Sequence, residues 1–243
     1  MKRRDFVSTS ILGMIGTSLP LFSMMQSQVK FSKNDLMGRG TPLLFGNDCK
    51  LRKQAYQAFI KMKTAALQDG FKIKTVSSYR NYNHQNRIWE RKYNKFTKEK
   101  MPPLQAIQKI VEYSTIPGTS RHHWGTDIDI VDGNVPQPKG LLLAKNFEGE
   151  GPFCRFKEWM DQNANTFGFY LVYTDEENRK GFKYEPWHYS YAPLSIPMLK
   201  AYRELDIKKE VFETRLKGSK HFTTNFINRY ITENILDINP QLL

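Results

Sequence analysis

A mixed α+β fold is what this 243-residue sequence predicts. Two observations carry that expectation. Leu51, Ala55, Ala58, Phe59, Met62 and Ala66 recur at helical spacing, with Lys and Arg filling the opposite face. Asp127-Ile128-Asp129-Ile130-Val131 alternates instead with a period of two, which puts Asp127, Asp129 and Val131 on one strand face and Ile128 and Ile130 on the other. One face then packs on a core while the other carries acid. A hydrophobic content of 40% and an aromatic content of 13% fit a globular chain, not a disordered one.

Taken in order, the chain opens on Met1-Lys2-Arg3-Arg4-Asp5-Phe6 and an apolar, glycine-containing stretch from Ile11 to Phe22. This is a charged region followed by an apolar one too short and too weakly apolar for a transmembrane span. Residues 1–26 are therefore expected to be an export leader, resembling a twin-arginine signal at Arg3-Arg4-x-Phe6, with an ordinary secretory leader as the alternative. Residues 28–47 read as irregular, punctuated by Gly38, Gly40, Pro42 and Gly46. Asn47 or Asp48 is expected to cap a helix that runs to about Gln68 and ends at Gly70. Phe71 to Ser77 reads as a strand that delivers Ser78, Tyr79 and Arg80 to its end.

A helix over 83–98 follows, with Ile88, Trp89, Tyr93 and Phe96 on its apolar side and His84 facing solvent. Another begins at Pro102-Pro103 and runs to Tyr113. Asp132-Gly133-Asn134 ends the central strand, and 134–151 reads as a loop long enough to border a cleft. Residues 153–165 read as helix, and 169–173 and 188–191 as strands. From 195 to 243 the pattern is helical and carries no chemistry: a helical C-terminal extension docked on a domain over 27–194.

Two clusters carry the chemistry. Ser120-Arg121-His122-His123-Trp124-Gly125-Thr126-Asp127-Ile128-Asp129 offers imidazoles and carboxylates around a glycine, which lets the chain turn so that His122 and an aspartate converge on one ion. Downstream, Glu185-Pro186-Trp187-His188 offers His188 as a third ligand and Glu185 as a proton acceptor beside the open position. The division of labour is that of the helical HExxH motif, but the order is reversed and Pro186 argues against a helix interior. His123, next to His122, should point elsewhere. Ser120 as a nucleophile would need a base and an oxyanion site; the metal reading uses the neighbouring histidines better.

Ser120-x-His122-x-x-Gly125-x-x-x-Asp129 followed by Glu185-x-x-His188 resembles the signature of the VanY-type zinc D-alanyl-D-alanine carboxypeptidases, a family that also holds VanX-type dipeptidases and phage cell-wall endopeptidases. Ser77-Ser78-Tyr79-Arg80-Asn81-Tyr82-Asn83-His84-Gln85 resembles a third family segment. The resemblance implies a small, mostly antiparallel sheet with helices on one side, of the Hedgehog/D-Ala-D-Ala peptidase kind. It implies a Zn2+ ion on His122, Asp129 and His188, with Glu185 and Arg80 as catalytic residues and Ser120, Gln85 and Tyr79 as substrate contacts. It further implies hydrolysis of peptidoglycan stem peptides, most directly at a terminal D-alanyl-D-alanine bond. An L,D-carboxypeptidase or a cell-wall endopeptidase with the same site, and a non-catalytic zinc-containing wall-binding protein, are the alternatives. A serine hydrolase built on Ser120 is the remaining one. The chain departs from the family at Asp127, where a small residue is usual, and at Asn81, where serine is common. Asp127 either accepts a hydrogen bond from a ligand imidazole or competes with Asp129 for the ion.

The formal charge of +13 points to an anionic partner, and the sequence holds no nucleic-acid-binding motif. Anionic cell-envelope polymers are therefore expected as partners and nucleic acid is not, while the resemblance implies a peptidoglycan peptide and, with the leader, a periplasmic or cell-envelope location. Cys49 and Cys154 lack ligand spacing; whether they pair or stay as two thiols is open at this level.

Overall fold

The structure, a computed structural model, describes residues 31–243; the leader expected over 1–26 lies outside the described residues. Its helices are α1 (Lys33–Leu36), α2 (Lys53–Gln68), α3 (Tyr82–Lys98), α4 (Pro103–Ile110), α5 (Cys154–Asn163), α6 (Ala192–Arg203), α7 (Ile207–Phe212) and α8 (Thr224–Tyr230). Its strands are β1 (Ile73–Ser77), β2 (Asp127–Asp132), β3 (Phe169–Leu171) and β4 (His188–Tyr191), in one sheet of order β1-β2-β4-β3. All three pairings are antiparallel, as expected.

The register matters more than the strand count. Asp129 lies opposite His188, and Asp127 opposite Ser190. Side chains directly opposite in an antiparallel pair are neighbours on one face. Ser77 also lies opposite Asp129, after a register shift between Thr75 and Ser77 that turns the end of β1 towards the same place. On the other face Ile128, Ile130 and Tyr189 pack with Ala55, Phe59 and Met62 of α2 and Phe156 and Met160 of α5.

The acid-bearing face of β2 is buried as well as the Ile128 face: Val131 packs with Phe147, Phe153 and Trp187, and the carboxylates have internal partners. Three expectations need correction. Helices do not gather on one side. α2 and α5 cover the Ile128 face, whereas Trp89 of α3, Ile107 and Ile110 of α4, and residues of α6, α7 and α8 form a second cluster. α2 starts at Lys53, not at 47–48, because Phe45 and Leu51 exchange backbone hydrogen bonds and hold 46–50 as a loop. The stretch 28–47 also holds one helical turn, α1, whose first N–H groups are capped by the Ser32 hydroxyl.

The segment expected as an extension from 195 starts inside α6, and Met198, Leu199, Tyr202, Val211, Ile227 and Tyr230 share one core with Trp89 and Trp124. Both cysteines are free thiols. Among the described residues no helix is long and apolar enough to cross a membrane.

Candidate metal centre

His122 lies in the 3-10 turn Arg121–Trp124, which Gly125 closes in the left-handed conformation at φ 68°. That turn drops the chain directly into β2, so His122 and Asp129 meet with Nε2 3.4 Å from Oδ2. β4 brings His188 alongside, its Nδ1 3.8 Å from Asp129 Oδ1. One ligand atom from each of His122, Asp129 and His188 lies within 4.8 Å of the others, and all three side chains are buried.

The hydrogen bonds settle which ring nitrogens face the cluster. His122 Nδ1 is 2.7 Å from the Ser78 carbonyl oxygen, which only accepts, so Nδ1–H donates and Nε2 is left with its lone pair. His188 Nε2 is 3.0 Å from Asp127 Oδ1, so Nε2–H donates there and Nδ1 faces inward. His122 Nε2 and Asp129 Oδ1 are buried with no hydrogen-bond partner. Orphaned acceptors are costly in a protein interior. Two of them, on two of the three side chains that could share a cation, fit a metal ion held by His122 Nε2, Asp129 and His188 Nδ1.

Asp127 meets His188 on the ring edge opposite the cluster and lies outside the His122, Asp129 and His188 set. Its carboxylate is fully buried and accepts from Arg121 Nε (3.0 Å), Ser190 Oγ (2.9 Å), Thr126 Oγ1 (2.6 Å) and His188 Nε2. Arg121, itself buried, also donates to Ser190 Oγ and lies over the Trp124 ring. Burial opposes the charge on Asp127, but the Arg121 guanidinium and His188 hold its pKa well below the usual range. Asp129 is likewise held at about 2, His122 outweighing burial. His188 rises to about 9 because its bonds to Asp127 and Glu185 outweigh burial. Burial, with Arg80 next, lowers His122.

Glu185 Oε2 stands 3.2 Å from His188 Nδ1, on the open side of the cluster, and burial raises its pKa. Arg80 lies with Nη2 4.0 Å from Asp129 Oδ2 and leaves its Nε without a partner. A small cavity, about 30 Å³, is lined by Arg80, Ser120, His122, Glu185 and His188, with Arg121 and Tyr173 behind them. A larger groove of about 300 Å³, between α4 and α8, is lined by none of the ligand residues.

Two expected substrate contacts do not reach this cavity. Gln85 is buried, with Oε1 accepting from Arg80 Nη1 (3.1 Å) and Nε2 donating to Thr115 O (3.0 Å), so it holds Arg80 in place. Tyr79 turns its hydroxyl to Gly40 O, away from the cavity lining. The loop 134–151 contributes nothing to the lining either. His123 points elsewhere as expected, donating from Nδ1 to Arg80 O and accepting at Nε2 from Gly118 N–H; burial pushes its pKa down to about 3. Arg121 and Ser190, which brace Asp127, carry no local sequence signal.

These shifts predict a stability profile for the metal-free chain. A raised imidazole pKa stabilises fully below its unfolded value, so the His188 contribution is lost as pH rises from 6.5 to about 9. A depressed one works in reverse: His123 destabilises as pH falls from 6.5 towards 3, and Asp129 adds to this between 3.8 and about 2. Tm measured against pH should peak near 6.5 without metal. Zinc should flatten the alkaline limb, because a ligand nitrogen cannot keep its proton.

A model of the VanY D-alanyl-D-alanine carboxypeptidase family matches residues 48–194, more than half of the chain. An uncharacterised protein of Haemophilus influenzae is 38% identical over 82 residues, 33% of this chain and 63% of that protein. The structure of VanYB in complex with D-alanine-D-alanine is similar at TM-score 0.53 and 20% identity, over 73% of this chain and 92% of that one. A mutant of the vancomycin resistance D,D-pentapeptidase VanY in complex with Zn(II) is similar at TM-score 0.51 and 20% identity, over 70% and 88%. At such identity these two speak for the fold. The chain spans 42–63% of the length of the curated relatives it matches.

Proposed function

The chain belongs to the VanY family of D-alanyl-D-alanine carboxypeptidases, and from that premise we propose that it is a zinc peptidase that removes the terminal D-alanine from peptidoglycan stem peptides. The observation that carries this reading is the set of inward-facing ligand atoms on His122, Asp129 and His188, two of them orphaned, with Glu185 on the open side. A purely structural metal site needs neither that carboxylate nor the neighbouring Arg80.

Zinc held by these three residues supplies Lewis acidity towards water and the scissile carbonyl. Glu185 accepts a proton from the attacking water as its oxygen adds to the carbonyl carbon, and delivers a proton to the amine nitrogen as the C–N bond breaks. Burial tunes Glu185 in the right direction, because a raised pKa lets one carboxyl both take and return the proton. Arg80, anchored by Gln85, presents its guanidinium to the oxygen that gains charge. Ser120 donates to the substrate from the cavity wall. Such a substrate places the working protein at the cell envelope, in keeping with the expected leader.

Product analysis tests the reading. Purified, zinc-loaded protein should convert a stem pentapeptide to tetrapeptide and free D-alanine. Cleavage confined to tetrapeptide or cross-linked substrates would move the specificity to an L,D-carboxypeptidase or an endopeptidase. Zinc binding at one per chain with no cleavage of any of them would leave a wall-binding protein.

A further inference from the structure

Helix α3 carries a feature that the chemistry above does not use. Its residues His84, Arg87, Arg91, Lys95 and Lys98 are all exposed. At 3.6 residues per turn they fall within an arc of about 80°, along about 21 Å of the helix. No carboxylate shares that arc: Glu90 lies off it, half-buried and held by Asn86, and Glu99 follows the helix end. Among the described residues none of the five forms an ion pair. Lys217, from the segment beyond the matched family region, joins the edge of the stripe with Nζ 3.1 Å from Asn94 Oδ1. Like charges one turn apart weaken a helix, so this arrangement costs stability that an anion would restore. The lysines of α2 are arranged differently: Lys53, Lys61 and Lys63 spread over about twice that arc, and Lys63 pairs with Asp48.

The stripe is continuous with the cavity. α3 starts two residues after Arg80, its Gln85 anchors that guanidinium, and its Lys92 places Nζ 2.5 Å from Ser114 Oγ; Arg80 and Ser114 both line the cavity. His84 senses the shared field: after burial, Arg80, Arg87 and Arg91 in turn lower its pKa. A polymer that feeds one peptide into the cavity therefore passes along a row of unpaired cations. We propose that the exposed stripe of Arg87, Arg91, Lys95 and Lys98, with Lys217, docks the peptidoglycan strand through carboxylates on the stem peptides next to the one being cut. The assignment rests on the peptidase reading and narrows its substrate from a free peptide to the polymer. A strand fits this face better than a flat anionic bilayer does, because the stripe is narrow and its arc offers no apolar side chain to enter one.

Co-sedimentation with purified insoluble peptidoglycan provides the test, with zinc-loaded Glu185→Gln protein so that nothing is cut. In that background Arg87→Gln/Arg91→Gln/Lys95→Gln is set beside Lys53→Gln/Lys61→Gln/Arg203→Gln, which removes the same charge elsewhere, and beside Arg87→Lys/Arg91→Lys, which keeps it. The α3 triple variant should bind about 3- to 100-fold more weakly, the range that three exposed ion pairs supply, and the other two should stay within about twofold of the parent. The difference should vanish at about 0.5 M salt and on peptidoglycan whose carboxylates have been amidated. With Glu185 intact, the α3 triple variant should raise KM for the insoluble wall by a similar factor. Its kcat, and its cleavage of a soluble stem pentapeptide, should stay within about twofold of the parent. Equal losses in the two triple variants, undiminished binding to the amidated wall, or no binding by the parent would overturn the assignment. So would tighter, stripe-dependent binding to phosphatidylglycerol vesicles. Stripe-dependent binding to the wall without cleavage of any peptide would sink the peptidase reading and leave the docking face standing.

Discussion

Glu185→Gln should lower kcat by about 10²–10⁴-fold, the range attributed to a positioned general base, while zinc content stays at the parent level. Gln keeps the shape of Glu185 and cannot take the proton of the attacking water. The ligands are untouched, since Glu185 is outside the His122, Asp129 and His188 set and meets it only through the 3.2 Å approach to His188 Nδ1. Loss of His188 would instead remove activity and metal together. Zinc by atomic emission beside initial rates separates the two. Activity within about tenfold of the parent would remove Glu185 from the mechanism.

Asp127→Ala should be the most destabilising single change at the centre, by about 3–5 kcal/mol, because it leaves the buried Arg121 guanidinium without its counter-charge. For a domain of this size that corresponds to a fall in Tm on the order of 10 °C. The same change frees His188 Nε2, so the ring is no longer held with Nδ1 towards the cluster, and zinc affinity should drop by about 10–100-fold. Asp127→Asn keeps the volume and one acceptor oxygen, and should fall between the two. Chemical denaturation of the metal-free proteins and zinc competition against a chromophoric chelator read the effects separately. Unchanged zinc affinity in Asp127→Ala would show that His188 does not depend on this support.

The candidate ligands were legible because each pair is local. His122 and Asp129 are joined by a turn that needs a glycine, and Glu185 and His188 are three apart. What joins the two pairs is the pairing of β2 with β4, and register across a sheet is not written in either strand alone. For the same reason Ser190 was invisible as a partner of Asp127, and Arg121 read as one more cation in a basic chain although it is the buried counter-charge. Asp127 departs from the family pattern, and only the pairing of β2 with β4 brings it to His188. The resemblance implies substrate contacts at Gln85 and Tyr79; the structure gives Gln85 a hydrogen bond to Arg80 and Tyr79 one to Gly40 O, and neither lines the small cavity. The late start of α2 escaped because Asn47 and Asp48 are good caps, whereas the Phe45–Leu51 pairing that displaces the helix start is set by tertiary packing.

Zinc dependence of the peptidase is read from D-alanine release from a stem pentapeptide as zinc is returned to the metal-stripped protein. Release should be absent without metal, rise linearly with added zinc, and reach a plateau at one equivalent per chain that His122→Ala and Asp129→Ala do not reach. Release that persists in the stripped protein, or that the two ligand variants recover at the same equivalence, would contradict it.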